Sequence, residues 1–198
     1  MITPAEIAAG LYGAWRLAQF KADGLRWIDG SLAGARRSFW VALIALPGAI
    51  PLMILRFSIY TPRVDELQTV LVETIAYAIG WTAFPVVGHI ASRVADRQHH
   101  FTRLVAAYNW ASLLQIGVLV VVAPISHGPI LPDGLGQLLG LVVQAAMLAY
   151  LAFVIRIALD VPWGAAIGLA LVEFFLGQSV FHTVVTLEDG WPLPPGAV

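Results

Sequence analysis

Six polar side chains occur inside otherwise apolar stretches of this sequence, where they could take part in chemistry. They are two carboxylates, three amides and one imidazole: Glu73, Gln115, Gln144, Glu173, Gln178 and His182. A polar or ionisable side chain surrounded by hydrocarbon is costly, so each needs a structural or functional reason. A carboxylate at such a depth can bind a cation or carry a proton. The six residues are therefore our candidates for a polar site inside a membrane.

The same residues also have a purely structural interpretation. Amides often form hydrogen bonds between neighbouring transmembrane helices, and we favour this role for the three glutamines. For Glu173 both interpretations stay open, because it lies about 15 Å from the inner end of its helix, near the membrane midplane. We expect Glu173 to face the bundle near Gln115 or Gln144. Glu73 is expected to turn toward Gln178 or His182.

The elements that position these side chains are five apolar stretches, each long enough to cross about 30 Å of hydrocarbon. They are predicted as helices over Phe39–Leu55, Leu67–Val87, Leu104–Ile125, Leu135–Val154 and Trp163–Val185. The chain is 59% hydrophobic and only 12% charged, which is about half the charged fraction of ordinary soluble domains. The predicted fold is all-α, a polytopic membrane bundle of about five transmembrane helices.

The basic residues predict the orientation of the bundle. Nine arginines and lysines lie on the side of the N-terminus, whereas only Arg56 and Arg63 lie on the other side. Cytoplasmic loops are enriched in these residues, so we expect a cytoplasmic N-terminus and an external C-terminus. Arg56 is expected to reach the interface from its helix end. The excess of arginine over lysine, with abundant small apolar residues, favours a bacterial inner membrane.

The segment before the first span, residues 1–37, is predicted to contain an amphipathic helix. Thr3 and Glu6 have the spacing of a capping box. One apolar stripe follows at helical spacing, and it consists of Ile7, Leu11, Ala14, Trp15 and Ala18. Such a stripe suits a helix lying on the membrane surface, and it equally suits one packed on the protein's own cytoplasmic loops. Both interpretations remain open.

The remaining organisation follows from proline and glycine. Residues 38–187 form the predicted transmembrane domain, and residues 188–198 form a short external tail whose prolines cannot continue a helix. Pro47 and Pro51 are expected to interrupt the hydrogen bonding of the first span. The pairs Gly136 with Gly140 and Gly164 with Gly168 predict close helix packing, within one chain rather than between two.

The sequence argues against several classes of function. It has no nucleophile elbow, no zinc-protease motif and no phosphate-binding glycine loop, so we expect no enzymatic activity and no cofactor. No dense basic face suggests nucleic acid. His89, His99, His100 and Asp96 do not match a zinc signature, so a solvated loop is the favoured interpretation and no metal is expected.

The stretch FTRLVAAYNW, from Phe101 to Trp110, resembles the tyrosine-containing start of a middle span in bacterial members of the Yip1-domain family. The overall layout is similar too, with a cytoplasmic N-terminal segment and five closely spaced spans. The proline that follows the tyrosine in those proteins is not present here. The resemblance implies a membrane-organising or trafficking-related role, and it transfers no functional residue.

Two functional hypotheses follow. The first is a non-enzymatic membrane protein, either a membrane-organising scaffold or an accessory subunit, whose partners are the lipid bilayer and other membrane subunits. The alternative is a small proton- or cation-coupled transporter or channel that uses the intramembrane carboxylates. An open cavity reaching Glu173 distinguishes them, because transport requires one and a scaffold has a packed interior.

Overall fold

The computed structural model describes residues 2–128 and 130–190. These residues form helices and no strand, which confirms the predicted fold class. The seven α-helices, numbered in chain order, are α1 (Pro4–Ala18), α2 (Leu32–Ser38), α3 (Val41–Ile59), α4 (Glu66–Val94), α5 (Phe101–His127), α6 (Asp133–Leu159) and α7 (Trp163–Glu188). Short 3₁₀ helices cover Ala22–Trp27 and Gln98–His100. Most of the predicted external tail, residues 191–198, lies outside the described residues.

Five of the helices are long and apolar enough to cross a membrane, as the sequence predicts. They are α4 to α7 and a segment formed by α2 with α3, which runs from Leu32 to Ile59. The protein is therefore an integral membrane protein. The helices are longer than the predicted spans because their ends extend beyond the apolar windows, for instance to His127 in α5 and to Val94 in α4.

α5 lies at the centre of the packing. It contacts α1, α2, α3, α4 and α6, and its segment Leu104–Ala111 is buried without interruption. Three alanines in this segment allow neighbouring backbones to approach closely. The one amide there, Asn109, is fully buried and donates to Ser38 Oγ over 2.8 Å. That hydrogen bond fixes α2 against α5.

Four helices form a ring. α5 packs on α4 and α6, and α7 packs on the same two helices from the opposite side. α5 and α7 therefore face each other across the middle of the ring. α3 lies outside this ring against α5. The arrangement leaves space between α5 and α7, and that space holds the candidate site.

α3 is continuous through both of its prolines. The helix runs from Val41 to Ile59 with Pro47 and Pro51 inside it, so the predicted interruption does not open a gap in the span. Proline removes an amide donor, but neighbouring helices support the freed backbone. The hydroxyl of Tyr77 on α4 donates to the carbonyl of Ala42 near the start of α3 over 2.5 Å, and this bond joins α4 to α3.

The N-terminal helix α1 is docked on the protein, against α5, α6 and the 3₁₀ helix that follows it. Its capping box is confirmed, since the Thr3 side chain accepts from the Glu6 amide and the Glu6 side chain accepts from the Thr3 amide. The protein itself covers only part of the predicted apolar stripe. Leu11 and Trp15 keep 38% and 56% of their surface exposed in the described structure. One face of α1 is therefore packed on the protein, and Leu11 and Trp15 lie on a face that the protein leaves partly uncovered.

Small residues explain which face of α1 docks. Its buried positions are Gly10, Gly13, Ala14 and Leu17. Gly10 lies directly against the ring of Trp110, and Gly13 lies against the backbone of Gly24. A stripe defined by large apolar residues does not reveal such a seam, because glycine contributes contact area through its backbone. Tyr150 adds a hydrogen bond from α6 to the carbonyl of Ala14 over 3.0 Å.

Charged groups hold the segment that joins α1 to α2. Arg37 bonds Glu6 at 2.6 Å and Asp29 at 2.8 Å. The hydrogen bond from the Thr3 backbone amide, with Arg37 beside it, holds the pKa of Glu6 below its usual value. Glu6 therefore stays ionised at neutral pH, and the pair with Arg37 is maintained.

The prediction of close helix packing at the two GxxxG patterns holds for one of their four glycines. Gly136 does pack within the chain, against the Ser126 backbone. In contrast, a side chain added at Gly140, Gly164 or Gly168 would meet open space. These three glycines lie on outer surfaces of α6 and α7, so the prediction of packing within one chain is wrong for them.

The close contact of Gly13 on α1 with the backbone of Gly24 predicts unequal effects of two Gly→Ala substitutions. At Gly13 a β-carbon would lie 2.8 Å from the Gly24 carbonyl oxygen, so Gly13→Ala should destabilise the docked helix by about 1–3 kcal/mol through overpacking. At Gly168 the same change meets open space and should be neutral or stabilising by up to about 1 kcal/mol. Thermal unfolding in detergent and proteolysis of the N-terminal segment measure both. Equal behaviour of the two variants would contradict the tight seam.

Candidate functional site

A central cleft lies between α5 and α7, inside the ring of four helices. Its volume is about 440 Å³, and it is partly open at its edge. Four of the six candidate residues line it, one or more from each of three helices: Gln115 on α5, Gln144 on α6, and Glu173 and Gln178 on α7. The structure thus brings these four side chains to one place. α4 completes the wall with Tyr77 and Trp81.

Glu173 is the carboxylate of the central cleft, and it is half-buried. The hydroxyl of Tyr108 on α5 donates to Glu173 Oε1 over 3.2 Å. This hydrogen bond spans the gap between α5 and α7. The expectation that Glu173 faces the bundle beside Gln115 and Gln144 agrees with this geometry, since all three line the same cleft.

The glutamines play different structural parts. Gln115 Nε2 donates to the carbonyl of Met147 over 3.2 Å, so it joins α5 to α6 as an interhelical amide should. Gln144 and Gln178 are exposed at the edge of the central cleft. Their amides can therefore reach whatever occupies it.

A second cleft of about 400 Å³ adjoins the first. α3, α4, α5 and α7 contribute to its wall, and Tyr77, Tyr108 and Glu173 line both clefts. From Glu173 it extends toward Arg56 and Glu73, near the end of the bundle where α3 connects to α4. α6 contributes to the wall of the first cleft and α3 to the wall of the second, and Glu173 lines both.

An ion cluster lies at the far end of the second cleft. It consists of Arg56, Glu73 and Glu188, which we call the Arg56 cluster. Arg56 pairs with Glu73 and places Nη2 3.1 Å from Glu188 Oε2. Glu188 is completely buried. The Arg56 guanidinium also lies 4.9 Å from the Phe57 ring centre, and such a cation–π contact partly replaces its hydration.

This cluster corrects two expectations. Glu73 is paired with Arg56, which lines the same cleft, and not with Gln178 or His182. His182 is exposed, and it lies outside the linings of both clefts among the described residues. Of the six candidates, His182 alone is therefore placed away from the others.

The sequence contained signals for some of the residues that its analysis did not select. Arg56 and Glu73 have opposite charges and both lie in the outer halves of their helices, so charge is a signal for the pair, and the rotation of the helices decides it. Glu188 follows the last predicted span, and a charged residue at that position indicates only that the helix is ending. Tyr77, Trp81 and Tyr108 are aromatic residues inside apolar helices. The sequence pattern does not distinguish an aromatic residue that lines a cleft from one in a packed core.

No family model, curated protein or solved structure matches this chain. The resemblance of Phe101–Trp110 to the Yip1-domain family therefore stays a prediction. In the structure this stretch is the buried segment of α5 and it carries Tyr108, which holds Glu173.

The Arg56 cluster predicts a large loss of stability when its cation is removed. Arg56→Met leaves Glu73 and buried Glu188 without their counterion, and such a loss typically costs about 3–5 kcal/mol. Arg63→Met is the matched control, since Arg63 is 78% exposed and 3.8 Å from Asp189, so its pair contributes less than about 1 kcal/mol. Melting temperatures in mild detergent compare the two variants. Similar melting temperatures would show that the cluster contributes little.

Proposed function

We propose that this integral membrane protein moves a small solute through its bundle, by cation- or proton-coupled transport and without enzymatic chemistry. The observation that carries the proposal is the central cleft, which reaches Glu173 in the middle of the bundle. A protein whose only task is to hold partners has no need of an open space at this depth. The alternative hypothesis from the sequence is thus the one that the geometry supports best.

The size and lining of the cleft support binding of a small molecule. Its volume of about 440 Å³ falls within the range of small-molecule sites, roughly 300–1,000 Å³. Such sites combine mainly apolar walls with a few polar groups that fix orientation. Here one carboxylate and three amides supply the polar groups. An ionisable residue at membrane depth commonly marks a substrate or ion pathway.

The second cleft extends this site into a path. It joins Glu173 to the Arg56 cluster near the helix ends, and ion pairs of this kind can hold such an exit closed. A solute leaving Glu173 in that direction passes Tyr77 and then Glu73. The proposed path therefore includes five of the six residues that the sequence identified, with His182 excluded.

We place the N-terminus in the cytoplasm of a bacterial inner membrane. The nine basic residues near the N-terminal end of the bundle support this orientation. The exposed aromatic residues of the N-terminal segment, such as Trp15, Phe20 and Trp27, support an interfacial position for it. The Arg56 cluster and the proposed exit then face the outside.

A scaffold or accessory-subunit role is the second candidate. The outward glycines of α6 and α7, Gly140, Gly164 and Gly168, favour it because small residues on a free face allow another helix to approach closely. The partner in that case is another membrane subunit, and the resemblance to Yip1-domain proteins points the same way. This role leaves the central cleft and Glu173 without a purpose.

Water in the central cleft separates the two candidates. The chain has no cysteine, so single-cysteine variants are labelled without background. Ser112 lines the cleft, and Ser112→Cys should react with a membrane-impermeant methanethiosulfonate in proteoliposomes because a transport path admits water. Val142 is 58% exposed on the outer face of α6, and Val142→Cys should stay unreactive in lipid. Ser58→Cys, near the helix end, is the reactive control.

The transport proposal fails if Ser112→Cys is as unreactive as Val142→Cys while Ser58→Cys is labelled. That result would mean a cleft filled by lipid or closed in the membrane, and the scaffold role would then be preferred.

The orientation is tested by reporter fusions. A reporter fused after Arg97 should be active as a cytoplasmic marker, and one fused after Val198 should be active as an external marker, because three spans separate the two positions. Reporters that are active on one and the same side at both positions would overturn the five-span orientation.

A further inference from the structure

We infer that the solute bound at Glu173 carries an organic ammonium group, held by the Glu173 carboxylate and by the ring faces of Tyr77, Trp81 and Tyr108. The inference rests on the proposed function and specifies its substrate class. It also makes a claim about binding alone, which can be tested without transport.

The charge of the central cleft favours a cation. Glu173 is its carboxylate, and its lining contains no lysine, arginine or histidine among the residues that the structure describes. The nearest basic group along the second cleft, Arg56, is engaged by Glu73 and Glu188. A cationic solute therefore supplies the counterion that a carboxylate at this depth requires.

The aromatic residues of the wall are held in place before any solute binds. Tyr108 is buried and its ring lies 4.6 Å from that of Phe84. Tyr77 is anchored through its hydroxyl to the Ala42 carbonyl, and its ring contacts Trp81 with the ring centres 6.2 Å apart. Because these side chains are already ordered, a solute that binds against them costs little conformational entropy.

Aromatic faces with one carboxylate suit an organic ammonium ion better than a metal ion. A calcium ion takes six to eight oxygen ligands, whereas an alkylated ammonium ion binds the negative faces of aromatic rings within about 6 Å of their centres. Tryptophan is the most favourable ring for this contact. The alkyl groups of such an ion also match the largely apolar wall of the cleft.

The probe is choline, a small quaternary ammonium ion, and its control is 3,3-dimethyl-1-butanol, which has the same shape with a carbon in place of the charged nitrogen. Isothermal titration calorimetry of the full chain in lipid-free detergent should show saturable binding of choline. The neutral compound should bind at least about tenfold more weakly, because it lacks the charge that Glu173 and the rings recognise.

Variants assign the binding to the cleft. Glu173→Gln should weaken choline binding by about tenfold or more, whereas Glu66→Gln, at the exposed start of α4, should leave it unchanged. Trp81→Leu should weaken it similarly, and Trp81→Phe should restore part of it because an aromatic face returns. Trp163→Leu is the matched control, since Trp163 lies outside both cleft linings. Circular dichroism and gel filtration confirm that each variant is folded.

Added phosphatidylcholine distinguishes two sources of the same chemistry. If the lipid competes with choline, the ammonium group belongs to a lipid headgroup; if it does not, the ligand is a free solute. Both results support an ammonium site.

The inference is overturned if choline and its neutral analogue bind equally, or if Glu173→Gln and Trp81→Leu bind choline as tightly as the unchanged protein. Should Ser112→Cys still be labelled in that case, the water-filled path stands and only the substrate class is wrong. If Ser112→Cys is unreactive but choline binds, the ammonium site is confirmed and the transport proposal is wrong.

Discussion

α5 supplies the buried surface against which α1, α2, α3, α4 and α6 pack. Lipid tails are as apolar as leucine, so the hydrophobic effect does little to bring helices together inside a membrane. Association there depends on close packing and on hydrogen bonds between helices. The segment Leu104–Ala111 provides both, through its alanines and through Asn109 bonded to Ser38. α7 is the one transmembrane helix without extensive packing on α5, and the cleft lies where that packing is missing.

The distribution of charge follows from the same cost of polar groups in hydrocarbon. At one end of the bundle Arg37 bonds Glu6 and Asp29, and at the other Arg56 bonds Glu73 and Glu188. Glu173 differs from these carboxylates because its hydrogen-bond partner is a neutral phenol, Tyr108. A carboxylate held without a protein cation, inside a cleft large enough for a small molecule, is what gives the site its proposed preference for positively charged solutes.

The sequence predicts the spans well because a transmembrane helix is defined by length and apolarity, and both are local properties. The capping box at Thr3 is predicted for the same reason. The sequence also predicts that Glu173 turns inward, because exposing a carboxylate to lipid is costly whichever helices pack beside it. Partners are harder to predict. Arg56 reaches Glu73 through the rotation of α3 against α4, and a hydropathy pattern contains no information about rotation.

The docking of α1 shows a second limit. Hydrophobic periodicity selects an apolar stripe that includes Leu11 and Trp15, but the tight contact with the rest of the protein is made by Gly10 and Gly13. A hydropathy scale scores side chains, and glycine has none, so hydropathy does not detect a helix contact that is made through the backbone. The large residues Leu11 and Trp15 are left partly exposed on another face of the helix.

α7 carries Glu173 and is the least enclosed of the spans, with 11% of its apolar window buried inside the protein. It contacts only α4 and α6 extensively, and its glycines at 164, 168 and 177 have no neighbouring side chain to displace. It is nevertheless held on both sides by α4 and α6, and its outer end is joined to α3 through Glu188 and Arg56. The position of α7 on α4 and α6 therefore sets the width of the cleft, while α5 forms the opposite wall.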